Sequence, residues 1–167
     1  MIGGRFATVQ DMKEIARRGR EAAERKALQI GINGMSYLET YQRKLRLRKV
    51  VNFIIAENRT EHRQELADFS AELASLELGC SVPEVLSLDT QKFPNHAGFS
   101  QQGRASVIYI WMDMSLFDIA RTAAHETRHR WQIETGKFVE MSARKEHEAD
   151  AEKFEEEFVE KYLQGEK

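Results

Sequence analysis

Apolar residues recur along most of this chain with a helical period. Met12, Ile15, Ala16, Ala23 and Ala27 form a weak stripe that predicts a helix over Val9–Ile30. Gly31-Ile32-Asn33-Gly34 then breaks the pattern, since two glycines and an asparagine favour turn backbone over helix. Ser36 with Glu39 three residues on is a capping-box signature and starts a second helix. That helix carries Leu38, Tyr41 and Leu45, and later Val50, Val51, Phe53, Ile54 and Ile55. Thr60 is a candidate cap for a third helix, with Leu66, Phe69, Leu73 and Leu76 on one face and Gly79 at its end. Beyond Gly79 the pattern changes. Val82 to Leu88, with Pro83, reads as a short strand, and 89–104 as turns with one strand around Phe99. Residues 105–112, ASVIYIWM, are dense in β-branched and aromatic side chains and make the best strand of the chain. Asp113 or Ser115 caps a helix running to about Thr135 and closed by Gly136; a last helix runs from about Ser142 to Leu163. Helices, a small sheet, then two helices give an α+β class.

The length, 167 residues, suits a single domain over 1–167, with a helical N-terminal part over 1–80 and a mixed part over 82–163. Net charge is only -2, but it is unevenly spread. Residues 1–60 hold 13 Lys/Arg against 6 Asp/Glu, and residues 139–167 hold 5 against 10. The lone Cys80 excludes an intrachain disulfide and fits a reducing compartment. No apolar run has the length of a membrane span, and the N-terminus lacks a signal-peptide layout, so a cytoplasmic protein with no membrane partner is expected.

Candidate chemistry sits in the penultimate helix. His125-Glu126-Thr127-Arg128-His129 reads His-Glu-x-x-His. Residues four apart share a helix face, so both imidazoles can bind one Zn²⁺, and the Glu between them can reach a metal-bound water. Leu116, Ala120, Ala123, Ala124 and Trp131 cluster on one side of this helix, and His125 and His129 fall roughly opposite. A third protein ligand is needed. Glu146, His147, Glu148 and Asp150 on the last helix are the candidates. The apolar face of that helix is set by Ala151, Phe154, Phe158 and Tyr162. His147 lies about 30° from its centre and Glu148 about 70°, so both can point inward. Glu152, Glu155, Glu156 and Glu157 read as an acidic solvated surface.

HETRH, followed by Glu148 after eighteen intervening residues, resembles the gluzincin class of zinc metallopeptidases. The fuller string HETRHRWQ followed by EADAEKF is similar to small gluzincin-like proteins of bacteria, phages and mobile elements. The resemblance covers roughly residues 105–158. It implies a zincin-like fold with a mostly antiparallel sheet, in which 82–163 is the catalytic part. It implies His125, His129 and Glu148 as ligands, Glu126 as general base, and Asp150 as a partner that orients a ligand histidine. The implied activity is zinc-dependent hydrolysis of a peptide or protein substrate. In such folds an edge strand pairs with an extended peptide. Val107-Ile108-Tyr109-Ile110 is the candidate edge, with a central core strand as the alternative. An oxyanion donor stays open among His147, Tyr109, Arg128 and Arg144.

Arg43, Lys44, Arg46, Arg48 and Lys49 place five basic residues in seven positions, but without aromatic interleaving. They read as a solvated face rather than a nucleic-acid surface. His96 reads as an ordinary loop residue, Cys80 as a small packed hydrophobe, and Trp111 and Trp131 as core. The rival to a hydrolase is a regulatory zinc-binding protein acting on a repressor or nucleic acid. Glu126 separates the two, because a purely structural site has no use for it.

Overall fold

The structure, a computed structural model, describes residues 8–27, 35–88, 97–100, 107–136 and 144–163. It divides into two compact units, Met1–Gln42 and Arg43–Lys167.

The first unit holds helix α1 (Val9–Ala27) and the opening turns of α2 (Tyr37–Ala56). Side chains cap both helices. Asp11 N–H donates to Thr8 Oγ1 at 3.1 Å, and Thr8 N–H donates to Asp11 Oδ2 at 2.8 Å. Ser36 and Glu39 make the expected reciprocal box, each backbone N–H donating to the other's side chain at 3.1 Å. Val9, Met12, Ile15, Tyr37, Leu38 and Tyr41 are exposed.

In the second unit α2 continues, and its buried stripe is Leu47, Val51 and Ile54. This differs from the expected stripe through Leu38, Tyr41 and Leu45, all of which are exposed. The second half of α2 is apolar almost all round, so periodicity alone could not choose its buried face. A 3-10 turn at Thr60–His62 leads into α3 (Arg63–Leu78). Thr60 is not the cap of α3. That place falls to His62, whose side chain makes no capping bond. Gly79 ends the helix in the left-handed region at φ 68°, a conformation that favours glycine.

The sheet is mixed, in the order β1-β3-β2. Strand β1 (Glu84–Ser87) runs parallel to β3 (Val107–Ile110) over four residue pairs. Strand β2 (Gly98–Ser100) runs antiparallel to β3 over three. The expected mostly antiparallel sheet is therefore corrected to one ladder of each kind. The expected edge strand, Val107–Ile110, is the central one, paired on both sides. Its unbroken apolar run suits that place, with Ile108 and Ile110 fully buried.

Helix α4 (Leu116–Glu134) is the hub. It packs on α3, on α5 (Arg144–Tyr162), and on β2 and β3. Ser115, one of the two expected caps, accepts from Asp118 N–H. The buried positions of α3 and α4 include runs of small residues: Ala67, Ser70, Ala71 and Ala74 on one, Ala120, Ala123, Ala124 and Thr127 on the other. Small side chains let two helices approach closely. Helix α5 buries Ala151, Phe154, Phe158 and Tyr162, as its pattern predicts.

Polar ties join α2, α3 and α5. Arg43 makes a two-bond pair with Glu72, at 2.7 and 2.9 Å. Glu77 receives Lys44 at 2.9 Å, Lys161 at 2.7 Å and the hydroxyl of Tyr162. Two of the five clustered basic residues are thus engaged with carboxylates of α3. Trp111 is exposed and Trp131 half-buried, against the expectation that both lie in the core. Trp131 instead carries the Arg128 guanidinium over its ring at 3.9 Å. Cys80 is buried as expected. His96 lies outside the described residues. Among the described residues no helix is long and apolar enough to cross a membrane.

Candidate metal centre

His125 and His129 sit one turn apart on α4, with their back face buried on the core. Their rings stand edge to face, centroids 4.8 Å apart. The two Nε2 atoms face each other at 3.1 Å. Glu148, near the start of α5, reaches both: Oε1 lies 2.9 Å from His125 Nε2, and Oε2 lies 3.2 Å from His129 Nε2. These three residues form the one group of metal-ligating side chains found among the described residues, with ligand atoms within 4.8 Å of one another. Glu148 joins the cluster, and His147, the other inward candidate, does not.

The far side of each ring explains why these nitrogens converge. His125 Nδ1 faces Glu155 Oε2 at 2.9 Å, and a carboxylate there accepts, so Nδ1 carries the hydrogen. His129 Nδ1 faces Gln132 Oε1 at 2.9 Å. The Gln132 amide orientation is fixed independently, since its Nε2 donates to Asp150 Oδ2 at 2.7 Å and to the His147 carbonyl at 3.0 Å. Its Oε1 therefore also accepts. Both rings then present Nε2 lone pairs toward one another and toward a carboxylate. Acceptors facing acceptors at about 3 Å repel unless a proton or a metal ion sits between them.

A cation fits that requirement. Zinc bound tetrahedrally at about 2.0–2.1 Å to nitrogen holds its ligand atoms about 3.3 Å apart, and the observed separations fall within a few tenths of an ångström of this. Two neutral imidazoles and one carboxylate form a recognised donor set for zinc, with the fourth position left for water. The local charge points the same way. Burial pulls the His125 pKa down, but the hydrogen bond to Glu155 and the charges of Glu126, Glu148 and Glu155 outweigh it and hold it up at about 9. At neutral pH a ring held this way carries a second proton, which a metal ion at Nε2 would have to displace.

The other expected site residues divide. Glu126 is buried, at 6% exposure, on the side of α4 that meets β2. Asp150, the expected orienting partner, meets Gln132, which in turn faces His129. It pairs with Arg128 through two bonds, at 2.7 and 2.9 Å, and acts on His129 through Gln132. Arg128, one of the oxyanion candidates, is engaged by that carboxylate. Tyr109 lies in the central strand, in register with Leu86 and Phe99. Arg144 begins α5 and is exposed. Sequence reasoning missed Glu155, assigned there to a solvated acidic face, and Gln132. Glu155 stands seven residues after Glu148, two helical turns along the same face, and that spacing was the available signal.

Compared with protein-family models, with curated proteins and with solved structures, the chain matches none.

Proposed function

We propose that this chain is a zinc-dependent hydrolase of the peptidase kind, gluzincin-like in its ligand set and zincin-like in layout. The observation that carries the reading is the convergence of His125, His129 and Glu148, with Glu126 between the two histidines on the same helix. Bound zinc would supply Lewis acidity, polarising a carbonyl and making a coordinated water acidic near neutral pH. The residues of the chain supply the rest. Glu155 and Gln132 keep the hydrogen of each ring on Nδ1 and so keep Nε2 available. Glu126 takes the proton of the attacking water on its carboxylate and delivers it to the leaving nitrogen. Strand β2 runs against α4 beside Glu126 and, among the described residues, is an edge of the sheet, where an extended peptide could add by backbone pairing.

The test separates metal from chemistry. After zinc loading, the native chain should hold about one ion, and His125→Ala should hold much less. Glu126→Gln should keep the ion and lose about 10²–10⁴ in hydrolysis of unstructured peptides, because it removes the base and spares the ligands. A native chain that takes up no metal ends the proposal. A Gln variant as active as the native chain removes Glu126 from the mechanism. Metal retained without hydrolysis by the native chain leaves a structural metal site.

A further inference from the structure

Gly98, the first residue of β2, stands where a side chain would collide with α4. A Cβ built on it would lie 2.6 Å from Thr122 Cγ2, 2.7 Å from Glu126 Cγ and 2.9 Å from Glu126 Oε1. Ordinary carbon contacts sit at about 3.5–4.0 Å, so each of these is a clash. Backbone conformation does not explain the glycine. Among the described residues, positive φ occurs only at Asn58, Gly79 and Gly136. Space is the reason: the β2 backbone lies against the Glu126 side chain, and only glycine leaves room for both.

The strand cannot easily retreat. It is held by its ladder to β3, and the Trp111 N–H donates to the Ala97 carbonyl at 2.9 Å, one residue before Gly98. Thr122 and Glu126 are four apart on α4, so β2 crosses one face of the helix with Gly98 over both side chains. Of the two, Glu126 has the more rotatable bonds and would be the one to move. We infer that Gly98 is a positioning residue for Glu126, its missing side chain forming the slot that holds the carboxylate in place. The catalytic consequence rests on the hydrolase reading above; the positional one does not.

The experiment compares the native 167-residue chain, Gly98→Ala, and Gly98→Ala combined with Thr122→Ser. The readouts are zinc content, urea midpoint, carboxylate ¹³C NMR and hydrolysis of a random-sequence peptide mixture. The Glu126 Cδ resonance is assigned by its loss in Glu126→Gln. Gly98→Ala should keep about one zinc, since the ligands are untouched. It should shift the Glu126 resonance and lower hydrolysis about 10²-fold, the scale of an ångström of misplacement. Thr122→Ser removes the Cγ2 clash, so the combined variant should regain urea resistance but neither the resonance nor the rate. It also carries the test if Gly98→Ala alone does not fold. A folded variant whose Glu126 resonance is unmoved overturns the proposal. If the native chain hydrolyses nothing while the resonance still moves, Gly98 positions Glu126 and the hydrolase reading falls.

Discussion

Removing Glu155 should weaken metal binding without touching a ligand. The His125 ring is held from behind by the Glu155 carboxylate at 2.9 Å, and Arg121 holds that carboxylate in turn at 3.0 Å. In Glu155→Ala the Nδ1 hydrogen loses its acceptor, the preference for the productive tautomer disappears, and the ring can turn. Loss of such an outer partner typically costs 10–100-fold in metal affinity, or about 1.4–2.7 kcal/mol. The His125 and Glu155 side chains are only 13% and 18% exposed, so water replaces the lost acceptor poorly. The upper half of that range is therefore expected. Glu155→Gln keeps an oxygen for Nδ1 and loses only charge, so it should fall in the lower half. Arg121→Ala is the control: its side chain is 45% exposed and one bond further out, and it should cost less than about threefold. Zinc affinity is read by competition with a chromophoric chelator at fixed pH. If Glu155→Ala binds zinc within twofold of the native chain, the ring is oriented by something else.

Acid should release a specific tie between helices. Burial raises the pKa of Glu77, but Lys161, Tyr162 and Lys44 together outweigh it and bring it down from 4.5 to about 2. A lowered folded-state pKa stabilises fully above pH 4.5 and is lost as pH falls toward 2. The shift corresponds to at most about 3.4 kcal/mol, and screening of a quarter-exposed carboxylate reduces the expected loss to about 1–2 kcal/mol. Urea titrations of native protein and Glu77→Gln between pH 5 and pH 2 should converge; curves that stay parallel would exclude Glu77 as the cause. Leu73→Ala, at a fully buried position of α3, should cost about 2–5 kcal/mol in urea unfolding. For the same reason a fragment starting near Ser81, which loses α3 from its packing on α4, should aggregate; a soluble, zinc-loaded fragment would show that the part from 82 onward carries its own core.

Much of the fold was legible because it rests on local signals. Ser36 with Glu39, Gly79, Ser115 and Gly136 mark helix ends through hydrogen bonds or backbone conformations that the residues themselves determine. The pair His125 and His129 was legible because helical spacing alone places both on one face. Failures fell where the answer depends on a neighbour. Strand order is not written in β3, since an apolar run fits a central place or a covered edge alike. The buried face of α2 was hidden by the apolar residues around its second half. Glu155 was unreadable as a ring partner because an acidic helix surface has the same composition whether or not an imidazole faces it.

The choice between His147 and Glu148 shows how the two helices settle a question that neither settles alone. The apolar stripe of α5 runs through Ala151, Phe154, Phe158 and Tyr162. At about 100° per residue, Glu148 and Asp150 lie on opposite margins of that stripe, about 70° and 90° from its centre. Each margin is fastened to a different part of α4. On one side Glu148 meets His125 and His129 while Glu155, two turns on, holds His125 from behind. On the other, Asp150 binds Arg128 and Gln132. Turning α5 to bring His147 toward His125 and His129 would tear one margin away. The rotation of α5 is thus fixed by polar contacts on both flanks of an apolar centre, and Glu148 is the residue that this rotation presents to the histidines.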